Sequence, residues 1–253
     1  APVPSMTTLQ LSPPPETAGR IEVPKGLLVE TEPVRGEPVR FATSHDVTLW
    51  PIRIEQAKLM GLPLAAPANP RAQGAMACLR LTLRTTSPEV PIARLGLDRL
   101  RLSIRGVGGV ASALHELLCT ATVSVAMADT PVDPKPTILG AEALAAAGLE
   151  ADEAALPWPK RAFSGHRLLT EYFAFPDKFL YVDLKGLDAR STVQAGDKLE
   201  VFVYLSRTAA DLERSVTAEN FGLFCTPAIN LFPQRCEAIH LDGSLSEWPV
   251  VAD

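Results

Sequence analysis

Residues 171–187 read Glu171-Tyr172-Phe173-Ala174-Phe175-Pro176-Asp177-Lys178-Phe179-Leu180-Tyr181-Val182-Asp183-Leu184-Lys185-Gly186-Leu187, and this run decides the fold class. On its upstream side Leu168, Leu169, Tyr172 and Phe173 recur at helical spacing. The pattern predicts a short helix over 167–173, capped by Ser164 and ended by Pro176. Downstream, 179–184 is a brief apolar and aromatic run between Pro176 and Gly186, which predicts a strand. A second strong strand follows at 199–205, reached through 186–198. Tyr172, Phe173, Phe175, Phe179 and Tyr181 concentrate hydrophobic mass where helix meets strand. Each buried ring removes about 150–250 Å² from water, so the cluster is expected to be core.

Outward from this run, the same alternation predicts strands at 6–11, 27–31, 39–42, 48–56, 77–85, 100–105 and 121–127, and later at 220–224 and 237–241. Short helices are predicted at 111–119, where Leu114, Leu117 and Leu118 share a face, and at 209–216. The 23 prolines exclude a helical bundle, because each removes a backbone donor and fixes φ. The class is therefore mainly β with short helices, expected as two sandwich- or barrel-like units in tandem. Residues 1–130 form the first unit and 163–253 the second. The stretch 131–162, rich in proline and alanine, is the expected linker or insert, with one isolated helix at 141–147.

At 253 residues the chain can bury a full core, and 47% hydrophobic with 21% charged residues is a globular balance. No apolar run approaches the roughly 18 residues that span a bilayer, so a soluble protein is expected. A net charge of −5 argues against a general nucleic-acid surface, which needs clustered cations. Arg80, Arg84, Arg99, Arg101 and Arg105 alternate with leucines and read as the solvated faces of two strands, suited to pairing with carboxylates at protein interfaces. The four cysteines, Cys78, Cys119, Cys225 and Cys236, are far apart and beside apolar runs; buried reduced thiols are expected.

The residue types for several chemistries are present, but not their spacing. Zinc could recruit Cys225, Cys236 and His240, yet the close Cys-x-x-Cys pair of structural sites is missing. Cys225, His240 and Asp242 could serve a hydrolase, but there is no nucleophile elbow, and a thiol between Phe224 and a proline turn should be buried with a raised pKa. Gly106-Val107-Gly108-Gly109 lacks the lysine and spacing of a phosphate loop and reads as a strand-to-helix turn. Glu171 among aromatics reads as a buried carboxylate anchoring a loop. The run 225–232, CTPAINLF, reads either as a rigid loop lining the core or as a contact surface anchored by Phe232 and Pro233. No catalytic residue, cofactor site or metal site is assigned.

The order of motifs carries further information. PSM at 4–6, FAT at 41–43, VTLWP at 47–51, LDRLRL at 97–102 and LHELL at 114–118 precede EYFAFPDKFLYVDLKGL. LEVFVYLS at 199–206, FGLFCTPAINLF at 221–232 and LSEWPVVAD at 245–253 follow it. Together they resemble the TssF family of type VI secretion baseplate wedge subunits, with Trp248 standing where the family suggests a tyrosine. Members of that family are longer, so the resemblance implies an internal fragment, in keeping with a start at Ala1-Pro2-Val3. It also implies a non-enzymatic structural subunit in the bacterial cytoplasm, docked at the inner-membrane complex. The implied partners are TssG, a second TssF copy, TssE, the TssK adaptor and the VgrG hub, with Phe232 and Trp248 as candidate interface anchors. The alternative is a two-domain β-sandwich module that binds carbohydrate or another small molecule, marked by a concave site with exposed aromatics.

Overall fold

Strict alternation in 77–85 and 198–205 produces the centre of the molecule. The computed structural model describes residues 3–33, 35–87, 89–159, 161–188, 195–239 and 246–251. From the N-terminus come β1 (Met6–Gln10), β2 (Ile21–Val23), β3 (Leu28–Glu30), β4 (Arg40–Thr43), β5 (Val47–Leu49) and the long β6 (Ile52–Gly61). Next are β7 (Ala77–Thr85), β8 (Arg99–Ile104), α1 (Val110–Ala121), β9 (Thr122–Ala128), β10 (Thr137–Gly140) and β11 (Leu144–Ala147). Then follow α2 (Ser164–Ala174), β12 (Tyr181–Lys185), β13 (Lys198–Leu205), α3 (Ala210–Ser215), β14 (Phe221–Leu223) and β15 (Cys225–Ile229).

A five-stranded sheet runs β10-β9-β13-β7-β6, and two four-stranded sheets run β11-β12-β8-β14 and β1-β15-β4-β3; β2 pairs with β5. Leu79, Leu81 and Leu83 of β7 share one face with Val201, Val203 and Leu205 of β13 and meet Leu100, Leu102 and Val182 of the second sheet. Leu114, Leu117 and Leu118 of α1 close this core. Gly109, at the N-cap of α1, has φ of 86°, a left-handed conformation that a side chain resists, so the glycine turn is what lets β8 feed the helix.

The class is the expected one, mainly β with short helices. The tandem arrangement is corrected by the strand pairing. β13 is hydrogen-bonded between β7 and β9, and β15 between β1 and β4, so strands from 163–253 lie inside sheets begun by 1–130. The expected linker at 131–162 contributes β10 and β11 to two different sheets. Its expected helix at 141–147 is a 3-10 turn, Ala141–Ala143, leading into β11. A short segment has little helical stability of its own, and the open edge of β12 offers a ladder instead. The strand expected over 48–56 is interrupted at Trp50-Pro51, where proline has no N–H for a ladder. Of the strand expected at 237–241, residues 237–239 carry none, the Glu237 amide bonding the Val251 carbonyl instead (3.0 Å), and 240–241 lie outside the described residues.

The arginine faces are not simply solvated. Glu200, fully buried on β13, accepts from Arg80 through both carboxylate oxygens (2.8 Å each), from Thr82 and from Lys198. Arg84 joins Glu55 and Asp197, and Arg101 grips both oxygens of Asp183 at 2.8 and 2.9 Å. Arg105 donates to Gln10 and to the Cys225 sulfur. The arginines therefore tie neighbouring strands together, because facing strands present carboxylates at matching heights.

Candidate protein-contact surface

Helix α2 is amphipathic, but its burial is the inverse of what the sequence predicts. Its buried residues are Arg167 and Glu171, while Leu169 (58% exposed), Tyr172 (51%) and Phe173 (81%) face outward and Phe163 (72%) extends the ridge. The aromatic cluster is therefore not core. Phe175 and Phe179 are half-buried, and only Tyr181 of the five rings is fully enclosed. Ser164 does not cap the helix: the N-cap position is Phe163, without a side-chain hydrogen bond.

A buried charge cluster explains the inversion. Glu171 Oε2 lies 2.9 Å from Lys178 Nζ and 3.3 Å from Arg167 NH1, and Oε1 accepts from the amides of Ala155 and Leu156 at 3.0 Å. Lys178 also donates to the Gly148 carbonyl at 2.8 Å. Burial pulls the Lys178 ammonium below its usual pKa despite the opposing pull of Glu171. A charge that costs this much to bury stays inside only when fully bonded, so the carboxylate side of α2 turns inward and its rings turn out. The anchoring role expected of Glu171 is what the geometry shows.

The object anchored is a strap, residues 148–159, held chiefly by side chains from elsewhere. Lys25 Nζ donates to the carbonyls of Asp152 (2.7 Å) and Ala154 (2.8 Å), and Arg167 to those of Leu149 and Glu150. Arg101 NH1 pairs with Glu153 at 2.5 Å. His45 completes the set: Arg101 can only donate, so Nδ1 accepts from it and Nε2–H donates to the Glu153 carbonyl at 3.2 Å. Burial chiefly, with the positive charge of Arg101 next, lowers His45 from 6.5 to about 4, so the ring is neutral at pH 7. Burial alone would raise the Glu153 carboxyl, but the charge of Arg101 and hydrogen bonding leave it lowered.

Between the strap and 231–233 lies a groove of about 870 Å³. Phe232, a predicted anchor, is half-buried and lines it with Trp158. Trp248, the other, is half-buried in 246–251 and is not among the lining residues, so the two anchors do not share that groove. The run CTPAINLF divides: 225–229 is strand β15, fully inside, and Leu231 emerges at the surface. Pro227 fits a central strand because β15 pairs with β4 only at Ala228 and Ile229.

The thiols separate into two kinds. Cys78 and Cys225 are buried, whereas Cys119 and Cys236 are exposed, against the expectation of four buried thiols. Burial raises the Cys225 thiol although Arg105 NH2 lies 2.8 Å from its sulfur. His240 and Asp242, invoked with Cys225 for zinc or hydrolysis, lie outside the described residues. Among the described residues no group of three or more His, Cys, Asp or Glu is placed to hold a metal ion. No helix among them is long and apolar enough to cross a membrane.

Sequence reasoning missed Lys25, His45, Trp158 and Arg167. The available signal was the Arg167–Glu171 spacing of four, which stacks the two on one helix face.

Fold and surface together define a β scaffold that holds an aromatic ridge and an adjoining groove in fixed positions. Residues 1–253 match the family model described as "Type VI secretion system, TssF". The chain belongs to the TssF family. It is 37% identical over 263 residues to "Type VI secretion system component TssF1" of Pseudomonas aeruginosa, covering 100% of this chain and 42% of that relative. Its fold matches a chain of a type VI secretion system TssK-TssF-TssG baseplate subcomplex solved by cryo-electron microscopy, with a TM-score of 0.75 and 26% identity, over 95% of this chain and 44% of that one. The chain thus spans less than half the length of either relative.

Proposed function

We propose that this chain is part of a non-enzymatic wedge subunit of a bacterial type VI secretion baseplate, acting by presenting rigid surfaces to other baseplate proteins. The single observation that carries this reading is the outward ridge of α2, where Phe163, Leu169, Tyr172 and Phe173 stay exposed while the helix buries its charges. An exposed apolar patch of this kind marks a contact site, and aromatic anchors commonly supply most of the binding energy. TssG and TssK, found with TssF in the solved subcomplex, are the first partners proposed. TssE, a second TssF copy and the VgrG hub are proposed from the resemblance, as is a cytoplasmic baseplate docked at the inner-membrane complex. Phe232 and Trp248 remain proposed anchors. Family membership favours this reading over a small-ligand module.

The test is capture of TssG and TssK by the full-length protein carrying Tyr172→Ala with Phe173→Ala, Phe232→Ala or Trp248→Ala. At least one variant should lose tenfold or more in capture with an unchanged melting curve. A wild-type protein that captures no baseplate component overturns the proposal.

A further inference from the structure

The groove beside α2 has a chemistry distinct from the ridge. Two of its lining residues, Lys25 and Arg167, are cations and none is acidic, in a chain whose net charge is −5. Arg167 is engaged by Glu171. Lys25 is exposed, its Nζ meets backbone carbonyls, and no carboxylate among the described residues lies within ion-pair distance of it. The indole Nε1 of Trp158 is shielded from water and has no acceptor among the described residues.

We propose that this groove takes an extended segment of another polypeptide, with proline or aliphatic side chains packed between Trp158 and Phe232 and an Asp or Glu paired with Lys25. The inference rests on reading the chain as an assembly subunit. Two features select the occupant. Rings and prolines (Trp158, Phe232, Pro157, Pro159, Pro233) offer the flat apolar faces on which polyproline-type segments dock. A lining that carries cations and no acidic residue then favours a carboxylate on the segment over a basic side chain. The strap wall is already fastened by Glu171, Arg101 and Lys25, so docking does not have to order it first.

The experiment places a photo-crosslinking amino acid at Ala162, an exposed lining position, in the full-length protein in its native cells. Mass spectrometry should identify a cross-linked peptide from another chain that combines proline or aliphatic residues with an Asp or Glu. Lys25→Glu should cut its yield at least fivefold, and changing the captured acidic residue to lysine should restore it. Trp158→Ala, which removes the ring against which the segment packs, should also lower the yield. Absence of any cross-linked polypeptide, a basic peptide, a segment of the same chain, a small molecule in the groove, or a yield indifferent to Lys25→Glu each overturns the inference. If TssG and TssK are still captured in that case, the groove reading alone has failed. If the groove captures such a segment but neither protein binds, the wedge reading has failed instead.

Discussion

Glu171→Ala is expected to be among the most damaging single substitutions outside the apolar core. The carboxylate is fully buried and satisfies four groups: Lys178 at 2.9 Å, Arg167 at 3.3 Å and the amides of Ala155 and Leu156 at 3.0 Å. Removing one member of a buried ion pair costs about 3–5 kcal/mol, and each buried donor left without an acceptor about 1–3 kcal/mol. These figures do not add in full, because Lys178 keeps the Gly148 carbonyl and Arg167 those of Leu149 and Glu150. A net loss of about 4 kcal/mol is expected, a large share of the roughly 5–15 kcal/mol that stabilises a domain. Glu171→Gln keeps the shape and one acceptor oxygen, so it should lose about half as much. Urea unfolding followed by tryptophan fluorescence measures both, and hydrogen exchange at Ala155 and Leu156 reports whether the strap has come loose. A loss below about 1 kcal/mol for the alanine variant, with exchange at both amides unchanged, would refute the account of the strap as held by charge.

Four other outcomes follow from the same geometry. His45 is lowered to about 4 in the folded chain, so its contribution is complete above about pH 6.5 and is lost as pH falls toward 4, by roughly 3 kcal/mol; a stability profile between pH 6.5 and 5 that His45→Asn leaves unchanged contradicts this. Tyr172→Ala with Phe173→Ala should alter stability by no more than about 1 kcal/mol, since surface positions rarely do more; a shift of 3 kcal/mol would put the rings back in the core. Phe179→Ala should cost about 1–2 kcal/mol rather than a full core loss, because the ring is half-buried under Lys178. A thiol reagent on the native protein should modify Cys119 and Cys236 and spare Cys78 and Cys225 until denaturant is added; rapid labelling of Cys225 would break that division.

What the sequence made legible is what depends on local pattern. The alternation of 77–85 became β7 at its predicted bounds, and Leu114, Leu117 and Leu118 did place α1 on the core. What it hid depends on which face of an amphipathic element meets the interior. In 164–174 the apolar ranking favours Leu169, Tyr172 and Phe173 as the inner face, and nothing local reveals that the amides of Ala155 and Leu156 need an acceptor there. The partners of Glu171 come from three separate stretches of chain, so the inversion could not be read from the helix alone. The strands of 131–162 were hidden for a related reason. Leu144–Ala147 has weak strand propensity and is recruited because β12 leaves an edge unpaired. Candidate site residues divide the same way: Phe232 could be named from composition, whereas Lys25 and Trp158 meet it only in three dimensions.

The division of labour between the two kinds of stabilisation bears on how such a surface could work. Central strands β13 and β15 are each paired on both sides with strands distant in sequence, so the sheets cannot come apart as tandem units without losing several ladders at once. The strap and α2 are fastened to that frame mainly by directional bonds to Lys25, Arg101, Arg167, Glu171 and Lys178 rather than by apolar burial. Directional bonds fix position more sharply than they add net stability, because desolvation cancels much of their strength. A contact surface built this way is held in register before any partner arrives, which removes part of the ordering cost of binding. It also follows that substitutions in the cluster should weaken assembly at two levels, through stability and through misplacement of the groove wall. Glu171→Gln separates them: its milder stability loss should still be accompanied by a larger fall in groove occupancy than a substitution of equal cost placed in the β7–β13 core.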